Sequence, residues 1–336
     1  MTYKLFNLAL FILLIVITSS YFGKYFWISE ILSNFRLYYI VASMIFLILA
    51  LIFKSKISVL LISVTIIIQA ATIYQCYSNK SRATSKTEVS EDLTFFQYNT
   101  FFLNTNYAEI ADYLIKNHNE LDIIFLQEVT PELKAELKRI EQYYPYKVTI
   151  DETWFGRAFY SKIPILNYEV KYFDRDPADT NDSNPKTKDQ FFGTDIHYLI
   201  VHLKTKKQST PITFYGIHTT YPMYAETAKR RNNELRIIAE EISKDTLSTH
   251  KILAGDFNTT PYSYWFQLLE KSSGLISGER GTGINNTWPS WLPFNVLRIS
   301  IDHVLVTDNI KVEERKIGDD LGSDHLSVIS KLKIFK

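Results

Sequence analysis

The sequence predicts an α/β domain preceded by a membrane anchor of three transmembrane helices, and two observations lead to this fold class. Three long runs near the N-terminus are apolar and carry no charged side chain. Beyond them, short apolar runs typical of buried strands alternate with segments of helical periodicity. We therefore divide the 336 residues into an anchor (1–77), a polar linker (78–92) and a globular domain (93–336).

Each apolar run of the anchor is long enough to cross a hydrocarbon core of about 30 Å as a helix. A cleaved signal peptide is the alternative for the first run, because Lys4 precedes it and the small Ser19 and Ser20 lie near its end. We expect Gln69, in the third run, to form a hydrogen bond between helices rather than a transport site. The three candidate spans are Leu5–Phe22, Leu37–Phe53 and Ile57–Tyr74.

Charge and cysteine content limit the function classes. The chain has 37 Lys and Arg and 36 Asp and Glu, of which residues 1–76 hold five basic side chains and one acidic side chain. The remainder carries 32 basic and 35 acidic residues, a net charge of −3. A general nucleic-acid binder is expected to have a basic surplus, so this balance disfavours a nuclease. The lone Cys76 cannot form an internal disulfide, and the fold therefore does not depend on an oxidising compartment.

Strands and helices are predicted in alternation along the domain. Thr130, Pro131 and Glu132 provide a cap, a first-turn proline and early negative charge for one of the helices. We expect Asn167–Phe173 to form a hairpin with the strand in Phe155–Ile165, and Asp174–Asp189 to be a surface loop without a metal site. The other predicted strands are Leu93–Tyr98, Leu121–Glu128, Ile196–Lys204, Ile212–His218, Ile252–Ala254, Arg298–Thr307 and Leu326–Ile334. The predicted helices are Tyr107–Lys116, Tyr224–Ile242 and Pro261–Leu269, and Gly274–Thr287 is a predicted loop.

The stretch KILAGDFN, Lys251–Asn258, is the strongest local candidate for a functional site. Its short apolar strand ends at Gly255, which leaves Asp256 and Asn258 on the loop that follows. Carboxylate and carboxamide groups two residues apart can act together on a cation or a polar substrate. A plain turn is the alternative, since these residue types are also common in turns.

Further polar residues recur at the ends of apolar strands or within them. Such positions are costly for polar side chains unless they are hydrogen-bonded or exposed in a site. The complete set is Asn99, Glu128, His218, Asp256, Asn258, Asp302, Asp324 and His325. Five other histidines lie outside any motif, and we assign them no function: His118, His197, His202, His250 and His303.

The words around this set, in the order QYN, LQE, IHTTYP, GDFN, SIDHVLV and GSDH, resemble the endonuclease/exonuclease/phosphatase superfamily over residues 93–336. The resemblance implies a four-layered α/β sandwich, with two packed mixed β-sheets flanked by helices. It also implies a hydrolase that cleaves phosphate esters with the help of a divalent metal. A metal-dependent endonuclease or exonuclease acting on DNA or RNA is one alternative, and a non-catalytic binding module is another.

The same resemblance implies a role for each matching residue. Glu128, with Asn99 and Asp324 nearby, would bind Mg²⁺ or Mn²⁺, hard cations that prefer oxygen ligands. Asp256 and Asn258 would position the nucleophile and the phosphate. His325, oriented by Asp302, would be the general base or the partner of a phosphoryl oxygen, and His218 would hydrogen-bond the phosphate. Where the family's nucleases often carry an acidic partner for this first histidine, the present sequence has Arg157 and Ala158.

A narrower resemblance concerns the combination of three membrane runs with TWP before RISIDHVLV, which is similar to the teicoplanin-resistance type of membrane phosphatase. It implies a lipid-linked phosphate or pyrophosphate substrate, such as undecaprenyl pyrophosphate, and contact with membrane lipids. Nucleic acid remains the alternative partner. The aromatic residues of Thr287–Phe294 are interpreted as core, with a lipid-facing rim as the alternative.

The predicted location is the cell membrane, as a multi-pass protein with an extracytoplasmic domain. Three spans would place the N-terminus and the domain on opposite sides. Lys4, Lys54 and Lys56 favour a cytoplasmic N-terminal side. The family resemblance decides the orientation, because the remaining basic residues near the spans oppose it. These are Lys24, Arg36, Lys80, Arg82 and Lys86.

Overall fold

The computed structural model describes residues 2–78, 89–151, 155–173, 197–204 and 211–335. Most of the predicted linker 78–92 and the whole predicted loop Asp174–Asp189 lie outside these ranges. The helices are α1 (Tyr3–Ser19), α2 (Trp27–Ser33), α3 (Arg36–Ile52), α4 (Lys56–Tyr77), α5 (Tyr107–Lys116), α6 (Pro131–Leu137), α7 (Ala225–Lys244) and α8 (Tyr264–Ser273). Two short 3₁₀ helices cover Lys138–Ile140 and Asn295–Leu297.

Twelve strands in the described ranges form two six-stranded sheets. They are β1 (Val89–Asn99), β2 (Ile123–Val129), β3 (Tyr146–Ile150), β4 (Gly156–Ser161), β5 (Ile165–Tyr172), β6 (His197–Leu203), β7 (Ile212–His218), β8 (His250–Asp256), β9 (Ile276–Ser277), β10 (Asp302–Val306), β11 (Ile310–Ile317) and β12 (Val328–Phe335). The first sheet has the order β11-β12-β1-β2-β4-β3, and the second has the order β5-β6-β7-β8-β10-β9. Each contains one parallel pair, β1 with β2 and β7 with β8, among antiparallel neighbours.

The two sheets pack face to face around an apolar core. Phe95, Phe125 and Phe159 from the first sheet meet Phe214 and Ile252 from the second, and all five side chains are fully buried. The outer face of the first sheet packs on α5 and α6, and the outer face of the second packs on α7 and α8. These four layers confirm the predicted α/β sandwich of two mixed sheets flanked by helices.

One predicted strand pairing is wrong. The sequence predicts that Asn167–Phe173 forms a hairpin with the preceding strand, but β4 pairs with β2 and β3, whereas β5 pairs with β6 in the other sheet. The chain crosses between the sheets at Lys162–Pro164, where the backbone N–H of Lys162 still bonds to the first sheet at the carbonyl of Asp122. Proximity in sequence therefore did not decide the partner of this strand.

Helices occur at all three predicted spans, but the structure does not support a count of three transmembrane helices. Among the helices of the described ranges, only α4, with 22 residues, is long and apolar enough to qualify alone. The pair α2 and α3 qualifies only if treated as one span, although it is bent by 72°. Helix α1 has 17 residues, and at 1.5 Å per residue it extends about 25 Å, less than the hydrocarbon core of about 30 Å.

Helices α1, α3 and α4 pack together as a small bundle. Phe6, Leu10, Ala50 and Ile62 form its buried centre. The amide Nε2 of Gln69 on α4 donates to the hydroxyl of Ser43 on α3 at 3.4 Å, which confirms the predicted hydrogen bond between helices. Large apolar side chains cover the outward faces of all three helices, including Phe11, Ile15, Ile45, Ile48, Leu60 and Ile67.

Candidate active site

Cross-strand register places three of the predicted site residues in one row at an edge of the second sheet. His218 at the end of β7 pairs with Asp256 at the end of β8, and Asp256 pairs in turn with Asp302 at the start of β10. Gly255 allows this close pairing: its φ is +145°, and a Cβ there would lie 1.7 Å from the carbonyl oxygen of Ile217. An L-residue side chain therefore cannot be accommodated at the position before Asp256.

The first sheet contributes Asn99 and Glu128 to the same cleft. The pairing of β2 with β4 is interrupted by a register shift between Gln127 and Val129, and Glu128 has a positive φ of 57°. Such a bulge redirects a side chain, here toward the second sheet. The amide Nδ2 of Asn99 donates to Glu128 Oε1 at 2.9 Å and to Asp256 Oδ2 at 3.1 Å, which joins the two sheets at the site.

The loop before β12 supplies Asp324 and His325. His325 Nδ1 lies 2.8 Å from Asp302 Oδ2, and its Nε2 lies 3.6 Å from Asp256 Oδ2. Asp324 Oδ2 accepts a hydrogen bond from the indole N–H of Trp288 at 3.0 Å, whereas its Oδ1 has no hydrogen-bond partner among the described residues. Six of the eight predicted site residues are buried, and the other two, His218 and Asp324, are partly buried.

Burial and close charges perturb the carboxylates and His325 strongly. Burial disfavours the imidazolium of His325, but the carboxylates of Asp302 and Asp256 outweigh this effect and raise its pKa to about 10. Burial also raises the pKa of Glu128 above its ordinary value. Burial likewise acts to raise the pKa of Asp302, yet the charge and hydrogen bond of His325 lower it. The His325–Asp302 pair is therefore stabilised as imidazolium and carboxylate.

His218 lies in a different environment. Its Nε2 is 3.6 Å from Glu128 Oε1 and 3.7 Å from Asp256 Oδ2. Burial, followed by the positive charge of Arg157, lowers its pKa to about 3. Arg157 also donates from Nη2 to the backbone carbonyl of His218 at 3.4 Å. The neutral imidazole of His218 is therefore favoured. Where the sequence lacks an acidic partner for this histidine, the neighbouring residue is the cation Arg157.

Asn258 is held by hydrogen bonds of both its backbone and its side chain. Its backbone N–H donates to Asp256 Oδ1 at 2.8 Å, and its Nδ2 donates to the carbonyl of Thr219 at 2.8 Å. Its φ of 49° is in the left-handed region, which asparagine tolerates better than most residues. Asn258 thus links the loop after β8 to the loop after β7.

The residues present are chemically suited to a divalent cation. Asp256, Asp302 and His325 offer ligand atoms within 4.8 Å of one another. His325 and Asp302 in that group already bond to each other, and Glu128 and Asn99 are hydrogen-bonded as well, whereas Oδ1 of Asp324 has no hydrogen-bond partner among the described residues. Charge repulsion from Asp324 contributes to raising the pKa of Glu128, after burial, and a cation between them would relieve it.

Sequence reasoning missed several residues that support the cleft. Gln97 donates from Nε2 to Asp302 Oδ1 at 3.5 Å. Arg315 donates from Nη2 to the backbone carbonyl of Asp302 at 2.6 Å, and its side chain is fully buried. Gln97 lies in the motif QYN, two residues before Asn99, so this motif offered a signal that could have identified it. Arg315 lies on β11 with no motif, and only the fold brings it behind Asp302.

The aromatic loop between β9 and β10 corrects one prediction. We interpreted the aromatics of Thr287–Phe294 as core, but the exposed fractions of Trp291 and Phe294 are 66% and 65%. Trp288 is only partly exposed and bonds to Asp324. The loop is fastened beside the cleft, since Ser290 N–H donates to the carbonyl of Asp324 at 2.8 Å. Its two outer aromatic side chains are therefore exposed at the surface and are not part of the core.

Comparison with solved structures shows the same fold. An endonuclease/exonuclease/phosphatase from Bacteroides vulgatus is 17% identical, with a TM-score of 0.57 over 73% of this chain and 99% of that one. The mannosyl-6-phosphatase of Bacteroides thetaiotaomicron is 18% identical, with a TM-score of 0.56 over 71% and 99%. TDP2 of D. rerio, complexed with a single-strand DNA product, is 18% identical, with a TM-score of 0.56 over 72% and 99%. Comparison with curated proteins gives no match.

The sandwich and its cleft define a hydrolase that acts on ester bonds of phosphate. The sequence matches the model of the Endonuclease/Exonuclease/phosphatase family over residues 96–325. Because this match covers more than half of the 336 residues, the chain belongs to that family. Its members are phosphoesterases and nucleases that are typically dependent on divalent metals, in agreement with the predicted enzyme class.

Proposed function

We propose that this chain is a membrane-anchored, metal-dependent phosphoesterase that hydrolyses a phosphate ester or pyrophosphate bond of a lipid-linked substrate, such as undecaprenyl pyrophosphate. One observation carries the catalytic part of the proposal. Asp256 lies at the centre of the cleft, hydrogen-bonded to Asn99 and within 3.7 Å of both His218 and His325. Carboxylates, amides and imidazoles that converge in this way can hold a phosphate and move a proton beside it.

Glu128, Asn99 and Asp324 would bind Mg²⁺ or Mn²⁺ at the edge of the first sheet. The cation would supply Lewis-acid stabilisation of charge on the phosphate oxygens. Asn99 has a second task in this arrangement, because its amide holds Glu128 and Asp256 in fixed positions relative to each other. Replacement of Glu128 or Asn99 should therefore displace the site residues of both sheets.

The other residues have roles that follow from their contacts. Asp302 fixes Nδ1 of His325, so that Nε2 faces the cleft. Its imidazolium form would donate to a phosphoryl oxygen, and it could act as general base only after losing that proton. Asp256 and Asn258 position the nucleophile and the phosphate. His218 hydrogen-bonds the phosphate and steadies charge in the transition state. A pre-set geometry of this kind lowers the entropic barrier to reaction.

A lipid-linked substrate is favoured by the surroundings of the cleft. Trp291 and Phe294 are exposed on the loop whose Ser290 and Trp288 bond to Asp324, and aromatic side chains suit the boundary between water and lipid. The same segment is tied to the N-terminal helices, since the hydroxyl of Tyr38 on α3 donates to the carbonyl of Leu297. The net charge of −3 beyond residue 76 disfavours a nucleic-acid polymer.

We also propose membership of the membrane-anchored subgroup that resembles the teicoplanin-resistance type, with a multi-pass anchor and an extracytoplasmic cleft. The outward apolar faces of α1, α3 and α4 support a membrane environment for the bundle. An external cleft would meet lipid pyrophosphates where polymerisation at the cell surface releases them. Membrane lipids would then be permanent neighbours of the protein.

The decisive experiment measures phosphate release by the full-length protein in detergent, with Mg²⁺ and after removal of metal by EDTA. We expect activity to be lost with EDTA and in Glu128→Gln, which retains the shape of the side chain but not its charge. Glu132→Gln, an exposed glutamate at the start of α6, is the matched control. Activity that survives both EDTA and Glu128→Gln would exclude the proposed metal-dependent mechanism.

A further inference from the structure

The carboxylate of Glu30 reaches from the N-terminal helices into the α/β sandwich. Glu30 lies on α2, a helix that the sequence analysis did not predict, and its side chain is fully buried. Its Oε1 accepts hydrogen bonds from Arg231 Nη2 at 3.0 Å and from the hydroxyl of Ser263. Gly23 leaves room for the other oxygen, because a Cβ there would lie 2.6 Å from Glu30 Oε2.

Arg231 connects this carboxylate to the loop that follows β8 and carries Asn258, residues 257–263, which we call the catalytic loop. It lies on α7 and is fully buried. While Nη2 donates to Glu30, Nη1 donates to the backbone carbonyl of Asn258. The planar guanidinium can serve both acceptors at once because its donors point in fixed directions. The carbonyl of Asn258 is thus only one side chain away from the N-terminal helices.

The residues that follow Asn258 are held from two sides. On the side of the N-terminal helices, Asn34 Oδ1 accepts from Thr260 N–H at 3.0 Å and from its hydroxyl at 2.9 Å. On the opposite side, His303 Nε2 lies 2.8 Å from the carbonyl of Thr259. The catalytic loop is therefore clamped between β10 and the segment that contains α2.

A buried ion pair is a costly way to hold two elements together. Removing Glu30 and Arg231 from water carries a desolvation penalty that apolar packing would avoid, so the pair is weak evidence for stability alone. The pair does fix the orientation of the Arg231 side chain, since a carboxylate and a guanidinium bond in a defined geometry. In that orientation Arg231 also donates to the backbone carbonyl of Asn258, two residues after Asp256.

We propose that Glu30 is a positioning residue of the active site, which acts through Arg231 to fix the backbone of Asn258. The N-terminal helices are then a structural part of the catalytic centre in addition to a tether. The inference rests on the proposed roles of Asp256 and Asn258. It predicts that catalysis depends on a contact outside the residues matched by the family model, since Glu30 precedes residue 96.

The test uses the full-length protein in detergent and a soluble probe, bis(p-nitrophenyl) phosphate, so that access to a membrane substrate is not involved. Glu30→Gln retains an acceptor for Arg231 but removes the charge. We expect kcat to fall about 10-fold to 100-fold with KM unchanged, because small misplacements of catalytic groups cause losses of this size. Hydrogen exchange should become faster in residues 256–263, which reports the loop independently of activity.

Gln69→Leu is the matched control. Gln69 is also a fully buried polar residue of the N-terminal helices, but its amide Nε2 donates to the hydroxyl of Ser43 and the carbonyl of Thr65, both within those helices. We expect neither kcat nor exchange in residues 256–263 to change. An equal loss of kcat in Gln69→Leu and Glu30→Gln would overturn the proposal, because it would indicate general loosening of the helices.

Two further variants cover failure of Glu30→Gln to fold. Arg231→Lys retains a positive charge but cannot donate in a fork to both acceptors, so it should lower kcat by itself, and where Glu30→Gln folds the two effects should not add. Asn34→Ala leaves the ion pair intact and should increase exchange at Thr260 with a smaller loss of kcat. A kcat within about twofold of wild type in folded Arg231→Lys or Glu30→Gln would overturn the proposal.

Failure of the proposed function would give a different result. In that case the wild-type protein would release no product from any phosphate ester, whatever the state of residue 30. Exchange in residues 256–263 would then decide the positioning role alone. Unchanged exchange in Glu30→Gln and Arg231→Lys would overturn it.

Discussion

His325 Nδ1 lies 2.8 Å from Asp302 Oδ2, although the two residues come from different sheets and are joined by no continuous motif. Asp302 begins β10 of the second sheet, whereas His325 lies on the loop that leads into β12 of the first. Their contact fixes the imidazole orientation and leaves Nε2 toward Asp256. The dyad therefore depends on how the two sheets pack at this edge.

The first prediction concerns this dyad. His325→Ala should lower kcat by about 100-fold to 10,000-fold, the range for loss of a general acid–base group. Asp302→Asn should lower kcat by a smaller factor, because the amide can still bond to the ring but no longer balances its charge. Both are measured as phosphate release at saturating substrate. His118→Ala, which removes a histidine just after the end of α5, should leave kcat unchanged. A His325→Ala variant as active as wild type would contradict the assignment.

The second prediction concerns the exposed aromatic loop. Replacing Trp291 and Phe294 with Ala should lower activity on undecaprenyl pyrophosphate in vesicles but not on bis(p-nitrophenyl) phosphate in solution. Each large apolar side chain removed from lipid costs about 1.5 kcal/mol or more, which is about tenfold in affinity. Tyr168→Ala, an exposed aromatic on β5, is the control.

The same assay ranks substrate classes. Lipid pyrophosphate and sphingomyelin should be cleaved in preference to plasmid DNA and oligonucleotides under identical metal conditions. Efficient nicking of plasmid without phosphate release from lipid would reverse the proposed order and favour a nuclease.

For the aromatic loop, equal losses of activity on the lipid and on the soluble probe in the Trp291 and Phe294 variant would show that the loop supports the cleft rather than binding lipid.

The third prediction concerns pH and a buried cluster behind the cleft. Glu279 Oε1 lies 2.9 Å from His303 Nδ1 and 3.4 Å from Arg315 Nη2. Burial would raise the pKa of Glu279, but Arg315 and His303 outweigh it and lower the pKa below its ordinary value. A lowered pKa in the folded state means that the ionised carboxylate stabilises the fold above the unfolded pKa of about 4.3.

This contribution is lost as the pH falls through the folded-state pKa. Glu279→Gln should therefore destabilise the protein by about 3–5 kcal/mol at neutral pH, since it leaves Arg315 buried without its partner charge. The difference in Tm between wild type and variant should shrink as the pH is lowered below about 4.3. Glu314→Gln, which removes a partly exposed carboxylate on β11 that pairs with Lys331 of β12, should change Tm little at any pH. A constant difference across that range would contradict the assignment.

The fourth prediction concerns the side of the membrane on which the cleft lies. Alkaline phosphatase fused after Lys336 should be active, because its disulfides form in an oxidising compartment outside the cytoplasm. A fluorescent protein that folds only in the cytoplasm should remain dark at the same position. Strong fluorescence without phosphatase activity of the fusion would place the cleft inside.

Much of the site could be predicted from the sequence because its chemistry lies where apolar strands stop. Buried strands such as β2 begin with a continuous apolar run, here Ile123–Leu126, and a polar residue at the end of such a run is costly to bury in a core. Glu128, His218 and Asp256 all stand out for this reason. The alternation of strands and helices likewise indicates an α/β domain, since both periodicities can be read locally.

Tertiary structure alone decided which of these elements meet. The row His218–Asp256–Asp302 depends on the register between three strands, and β5 pairs across to the second sheet instead of with its neighbour in sequence. The number of helices that can span a membrane depends on where turns end them, which apolar composition does not reveal. Glu30 is a lone acid in an apolar segment, and only the fold brings it to Arg231. Hydrophobic pattern is a local property, whereas pairing and burial of charge are settled by contacts between residues far apart in the chain.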